Sequence, residues 1–171
     1  MPREAEVTFF TGKRNAASNR TRHGGASLLG LIGRGAMQQT GFGQGGLMPE
    51  SLDVFVYGSL LRGEKHHGLL QEATLIGPGR TLPAYRLVDL GPYPGMVAEG
   101  TRAVMGEVYR VPGRLMAQLD RFEEHPETYV RSAVRLSDGR QVVAYLLRPP
   151  LAAGHPEIKS GDWRGYLRSR G

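Results

Sequence analysis

Two apolar-rich runs, Tyr129 to Leu136 and Gln141 to Leu147, flank Asp138-Gly139, a dipeptide that favours the tight turn of a β-hairpin. This pairing constrains the fold more than any other feature, because it commits the second half of the chain to antiparallel strands. Earlier segments read the same way: Asp53 to Tyr57 is a β-rich run bounded by Gly58, and Arg86 to Asp89 and Val104 to Val111 are further strands. Helical candidates are few. His66 to Ala73 is a short one. Arg114 to Glu124 carries Leu115, Met116, Leu119 and Phe122 at helical spacing, with Pro112 near its start, where a missing N–H costs little. Trp163 to Leu167 forms a last turn. Strands with one or two helices and no βαβ alternation predict an α+β fold built on a small mixed sheet or barrel.

The regular patterns begin only after residue 50. Residues 1–50 lack sustained periodicity and are rich in Gly, Arg, Asn, Gln and Ser, a composition that buries too little apolar surface to offset ordering entropy. They are expected to be a disordered leader before a single domain spanning residues 51–171. Gly41-Phe42-Gly43-Gln44-Gly45-Gly46 matches a dinucleotide fingerprint by letters, but no strand precedes it and Pro49 interrupts the helix that should follow, so it reads as a linker. Met48 is followed by Pro-Glu-Ser-Leu-Asp and then the first strand, and is a candidate start of translation, which the intact mass of the protein from its native cell tests.

Composition closes several routes. With no cysteine, a disulfide framework, a thiolate nucleophile and Cys-rich zinc sites are excluded, and a reducing cytoplasm fits. The longest apolar stretch of the leader, Ala26 to Gly33, falls far short of the roughly 20 residues that cross a bilayer. It is glycine-broken and lacks a cleavage site, so no membrane span or signal peptide is expected. The net charge of +6 suggests nucleic acid, yet residues 1–47 hold six Lys/Arg against two acids, and residues 48–171 hold sixteen against fourteen. The body is only mildly basic. Phe9, Phe10 and Phe42 are the leader's only aromatics, so no nucleic-acid partner is expected.

One acid stands out. At about 100° per residue from Leu115, Met116 falls at about 100°, Leu119 at about 40°, Phe122 at about −20°, Glu123 at about 80° and Glu124 at about 180°. Glu123 therefore lies within the apolar stripe and Glu124 points away. A carboxyl on the inward face near the negative end of a helix dipole has its ionised form disfavoured, which suits a group exchanging a proton near neutral pH. Periodicity equally allows an ion pair with an arginine such as Arg131, or a fraying helix end.

A second element is Tyr57-Gly58-Ser59-Leu60, where the first strand ends. Successive N–H groups of such a turn can converge on an anion or a developing oxyanion, though a plain strand-to-loop glycine reads identically. Gly58 to Lys65 is no phosphate loop, since Glu64 separates Gly63 from Lys65 and no Ser/Thr follows the lysine. Ser59 lacks the flanking glycine pattern of a nucleophile elbow, having Tyr57 and Leu61 two residues to either side. His23, His66, His67, His125 and His155 show no metal-ligand spacing. Tyr93-Pro94-Gly95 reads as a rigid turn in which a cis bond before Pro94 is an option.

Taken in order, FVYGSLLRG (55–63), GPYPGMV (91–97), GEVYRV (106–111), LDRFEEHPETYVR (119–131) and GDWRGYLR (161–168) resemble the gamma-glutamylcyclotransferase-like family, over about Asp53 to Leu167. The resemblance implies a small β-barrel-like mixed sheet with flanking helices and cyclisation of gamma-glutamyl groups to 5-oxoproline without metal or organic cofactor. It implies Glu123 as general acid/base, a substrate loop of Tyr57, Gly58, Ser59 and Leu60 binding through backbone amides, and Tyr129 as the family tyrosine after the catalytic helix. The expected partner is a small gamma-glutamyl molecule. The family often has glycine after the catalytic glutamate where this chain has Glu124. A binding module of the same fold without turnover is the alternative.

Overall fold

A computed structural model describes residues 49–171. The leader, the glycine-rich string at 41–46 and the candidate start at Met48 lie outside the described residues, except Pro49 and Glu50. The Glu50 carbonyl accepts the Gly113 N–H at 2.9 Å.

Seven strands and two helices follow: β1 (Ser51–Val56), β2 (Thr74–Arg80), β3 (Tyr85–Asp89), β4 (Pro94–Ala98), β5 (Met105–Pro112), α1 (Gly113–Phe122), β6 (Tyr129–Arg135), β7 (Gln141–Leu147) and α2 (Trp163–Arg170). Five strands form a sheet in the order β2-β5-β1-β7-β6, in which β1 and β7 run parallel and the other pairs antiparallel. Being central, β1 is covered on both faces, so Val54, Phe55 and Val56 are all buried without alternation. The edge strands β2 and β6 meet at one end. Thr81 pairs with Leu136, the Leu82 N–H donates to the Arg135 carbonyl at 3.1 Å, and the Ser137 N–H donates to the Arg80 carbonyl at 2.8 Å. That closure makes the mixed sheet barrel-like, as the α+β reading requires.

The separate β3–β4 ribbon packs over β7 with little clearance: a Cβ on Gly95 would meet Leu147 Cδ2 at 2.5 Å. The expected turn at Tyr93-Pro94-Gly95 is displaced. Gly91, at φ +94°, makes the turn, the Leu90 N–H bonds the Tyr93 carbonyl at 3.1 Å, and Pro94 already pairs with Asp89. Among the described residues the cis peptide bond is His125–Pro126. The His66 to Ala73 segment is a 3-10 turn over His67–Leu70 rather than an α-helix.

Helix α1 buries Leu115, Met116 and Leu119 against the sheet. Phe122 departs from its expected inward place: it is 36% exposed, and its ring lies 5.0 Å from that of His66. Helix α2 is anchored by buried Trp163, and its approach is tied to β5 where the Met105 N–H donates to the Gly161 carbonyl at 2.8 Å. No described helix is long and apolar enough to cross a membrane.

Candidate active site

Glu123 is the first residue beyond α1, not a member of the helical stripe. Its N–H still bonds the Leu119 carbonyl at 2.9 Å, and its φ of −84° and ψ of 2° begin the turn away from the axis. The chain then closes in a Schellman arrangement: the Glu124 N–H donates to the Arg121 carbonyl at 3.3 Å and the His125 N–H to the Asp120 carbonyl at 2.8 Å. Such a cap needs a left-handed residue, and Glu124 takes φ +50°. Glycine would take that conformation at the least cost. Glu124 points outward and accepts the Thr128 hydroxyl at 2.6 Å.

The Glu123 carboxyl is half-buried and receives no hydrogen bond or ion pair from the described residues. Arg131, the partner that periodicity left open, is 3.4 Å from Asp120 Oδ2, and Asp120 Oδ1 accepts the Tyr145 hydroxyl at 2.6 Å. Without a compensating cation, burial pushes the Glu123 carboxyl from 4.5 up to about 8. Its charge is felt by Tyr57, Tyr129 and Tyr145, whose hydroxyls are all raised, first by their own burial. All three phenols therefore lie within electrostatic reach of the acid.

Tyr57 and Tyr129 hold the ribbon in place. The Tyr57 hydroxyl donates to the Tyr145 carbonyl at 2.6 Å and accepts the Met96 N–H at 3.2 Å, bridging β7 to β4. The Tyr129 hydroxyl donates to the Pro94 carbonyl at 3.3 Å. Both hydroxyls are thus committed to backbone partners.

The loop after β1 turns its carbonyls inward. Gly58 O accepts the Leu61 N–H at 3.0 Å and Ser59 O accepts the His66 N–H at 2.9 Å. In a planar trans peptide the N–H points opposite to the carbonyl, so the Ser59 and Leu60 N–H groups face away from the loop interior. Among the described residues they donate to no acceptor. Gly58 is demanded by close approach: a Cβ there would lie 2.8 Å from both Cδ and Cγ of Pro94. The contact of His66 with Phe122, the neighbour of Glu123, brings this loop alongside the end of α1. No group of three or more His, Asp or Glu side chains suited to a metal ion occurs among the described residues.

The structure brings together Tyr57, Tyr129 and Glu123, with the Gly58–Leu60 loop beside the helix end. Sequence reading missed Tyr145 and Asp120, which lie 25 residues apart yet share a hydrogen bond. Only the position of Asp120 inside LDRFE could have signalled it.

The model of a family described as gamma-glutamyl cyclotransferase, AIG2-like matches residues 54–165. A Vibrio cholerae protein, whose name gives gamma-glutamylcyclotransferase as a provisional activity, is 44% identical over 110 residues, covering 64% of this chain and 93% of that protein. The gamma-glutamylaminecyclotransferase of Homo sapiens is 39% identical over 92 residues, covering 48% of this chain and 60% of that one. Among solved structures, an AIG2-like protein from Mus musculus has a TM-score of 0.59 at 28% identity, covering 66% of this chain and 89% of that one.

Proposed function

The chain belongs to the gamma-glutamyl cyclotransferase, AIG2-like family, and from that membership we propose that it cyclises a gamma-glutamyl amide to 5-oxoproline with Glu123 as general acid/base. The observation that carries this reading is a half-buried, unpaired carboxyl raised to about 8, next to a loop with two unused N–H groups.

In the proposed reaction the Glu123 carboxylate takes a proton from the α-ammonium of the substrate. The freed amine attacks the γ-carbonyl carbon, a C–N bond forms, and the carbonyl oxygen becomes an oxyanion. The N–H groups of Ser59 and Leu60 are the donors suited to that oxygen, since preorganised amides act where charge develops. Collapse breaks the original amide bond; Glu123 gives its proton to the departing amine, then takes the second proton from the ring nitrogen and passes it on, leaving a neutral lactam and an ammonium ion. Atoms balance without water. Because the nucleophile is tethered to its target, holding the substrate folded supplies much of the rate.

The test is to incubate the full chain with gamma-glutamyl amino acids, gamma-glutamyl-lysine and glutathione and to follow 5-oxoproline by mass spectrometry. Product from at least one class supports the reading. Binding of such a compound without any product favours the non-catalytic module of the same fold.

A further inference from the structure

The far end of the cradle loop is gripped by a charged ring that the reaction above does not use. Glu107 lies on β5 opposite Val56, the last residue of β1, with its side chain only 10% exposed. Its Oε2 accepts the Arg62 N–H and the Tyr109 hydroxyl, each at 2.9 Å, and its Oε1 accepts Arg164 Nη1 at 3.0 Å. Arg164, on α2, closes the ring by donating from Nη2 to the Arg62 carbonyl, and its Nε lies 3.7 Å from Glu64 Oε1. One backbone residue thus has its N–H held by one member of an ion pair and its carbonyl by the other.

Burying an ion pair is a weak way to gain stability, because desolvation cancels most of the attraction. What this ring fixes is position. Arg62 is one turn from the cradle, linked to it by the Leu61 N–H on Gly58 O at 3.0 Å. Gly58 is already stopped by Pro94 on the other side. A third hold comes from His67, whose Nδ1 lies 3.1 Å from Leu60 O and whose ring is 5.8 Å from that of Tyr109, itself bonded to Glu107.

Resting on the functional reading above, we propose that Glu107 and Arg164 are positioning residues for the reaction, fixing the peptide planes from which the Ser59 and Leu60 N–H groups point at the developing oxyanion. The C-terminal helix is thereby part of the catalytic apparatus without touching substrate. Burial acts to raise the Glu107 carboxyl, but the Arg62 N–H, Arg164 and Tyr109 outweigh it and hold the group below its ordinary 4.5. It stays ionised while Glu123 titrates, so the two roles separate by pH.

The experiment compares the full chain with Glu107→Gln, Arg164→Lys and the double variant, using steady-state kinetics, thermal unfolding and hydrogen–deuterium exchange over residues 57–66. We expect kcat to fall about 10-fold or more in each single variant with KM within about 2-fold, the pattern of an interaction made in the transition state. Loop exchange should quicken by about 10-fold, and the double variant should be no worse than the poorer single one, because both changes break one ring. Unchanged loop exchange overturns the proposal. So does a kcat loss that is additive in the double variant or tracks the fall in melting temperature. If one single variant fails to fold, the other carries the comparison. Should the wild type form no product, the functional reading fails alone, and the exchange arm still decides whether the ring positions the loop.

Discussion

Replacing Glu123 with Gln should stabilise the protein, and the gain should grow with pH. In the folded chain burial raises the carboxyl from 4.5 to about 8. Between those values the folded state keeps a proton that the unfolded state has released. Stability of the wild type therefore falls as pH rises through that window, while the amide variant has no such slope at this position. At about 1.4 kcal/mol per pH unit the whole window sets a ceiling of ~5 kcal/mol, and solvent reaching the half-buried side chain reduces it. The gap in unfolding free energy between variant and wild type should widen by about 2 kcal/mol from about pH 5.5 to about pH 8.5. Urea unfolding followed by fluorescence of Trp163, the single tryptophan, measures it. A gap that does not change with pH would refute the desolvation account. A variant less stable at the higher pH would mean that Glu123 is held by a cation in the folded state.

Three further outcomes follow from the same geometry. Gly58→Ala must displace the Pro94 ring from its 2.8 Å approach, so it should cost about 1–3 kcal/mol in urea unfolding together with most of the product formation; an unaffected variant would remove the steric role of this glycine. Tyr57→Phe strands the buried Met96 N–H and the Tyr145 carbonyl and should lower unfolding free energy by about 1–3 kcal/mol, a loss that must appear at all pH values since the phenol does not titrate there. Glu124→Gln keeps the outward side chain and its Thr128 partner, so kcat/KM should stay within about 2-fold; inactivation would move the acid/base role from Glu123 to its neighbour.

The hairpin was legible because its determinant is local: Asp138-Gly139 separates two apolar runs, and Gly139 takes φ +89°. Strand β2 was not, because TLIGPGR carries two glycines and a proline that read as loop. Pairing with β5 overrides them, and Pro78 is tolerated because β2 is an edge strand. Strand β4 was hidden by Pro94-Gly95, which looks like turn chemistry until Gly95 is seen packed against Leu147. The helical angle directed attention to Glu123, yet the physical cause differs. The acid leaves the helix at its cap, and the left-handed Glu124 ends the stripe there, while Phe122, counted as core, is part of the surface. The ring of Glu107 and Arg164 has no local signature, as its members are 57 residues apart and meet only when α2 returns to the end of β1.

The measurement closest to the central claim is the time course of 5-oxoproline release by the full chain and by Glu123→Gln from whichever gamma-glutamyl compound the wild type turns over. The account expects release by the wild type to increase as pH approaches about 8, and the folded variant to be slower by about 10²-fold or more, the scale of general acid/base catalysis. A folded variant that releases 5-oxoproline at the wild-type rate would contradict it.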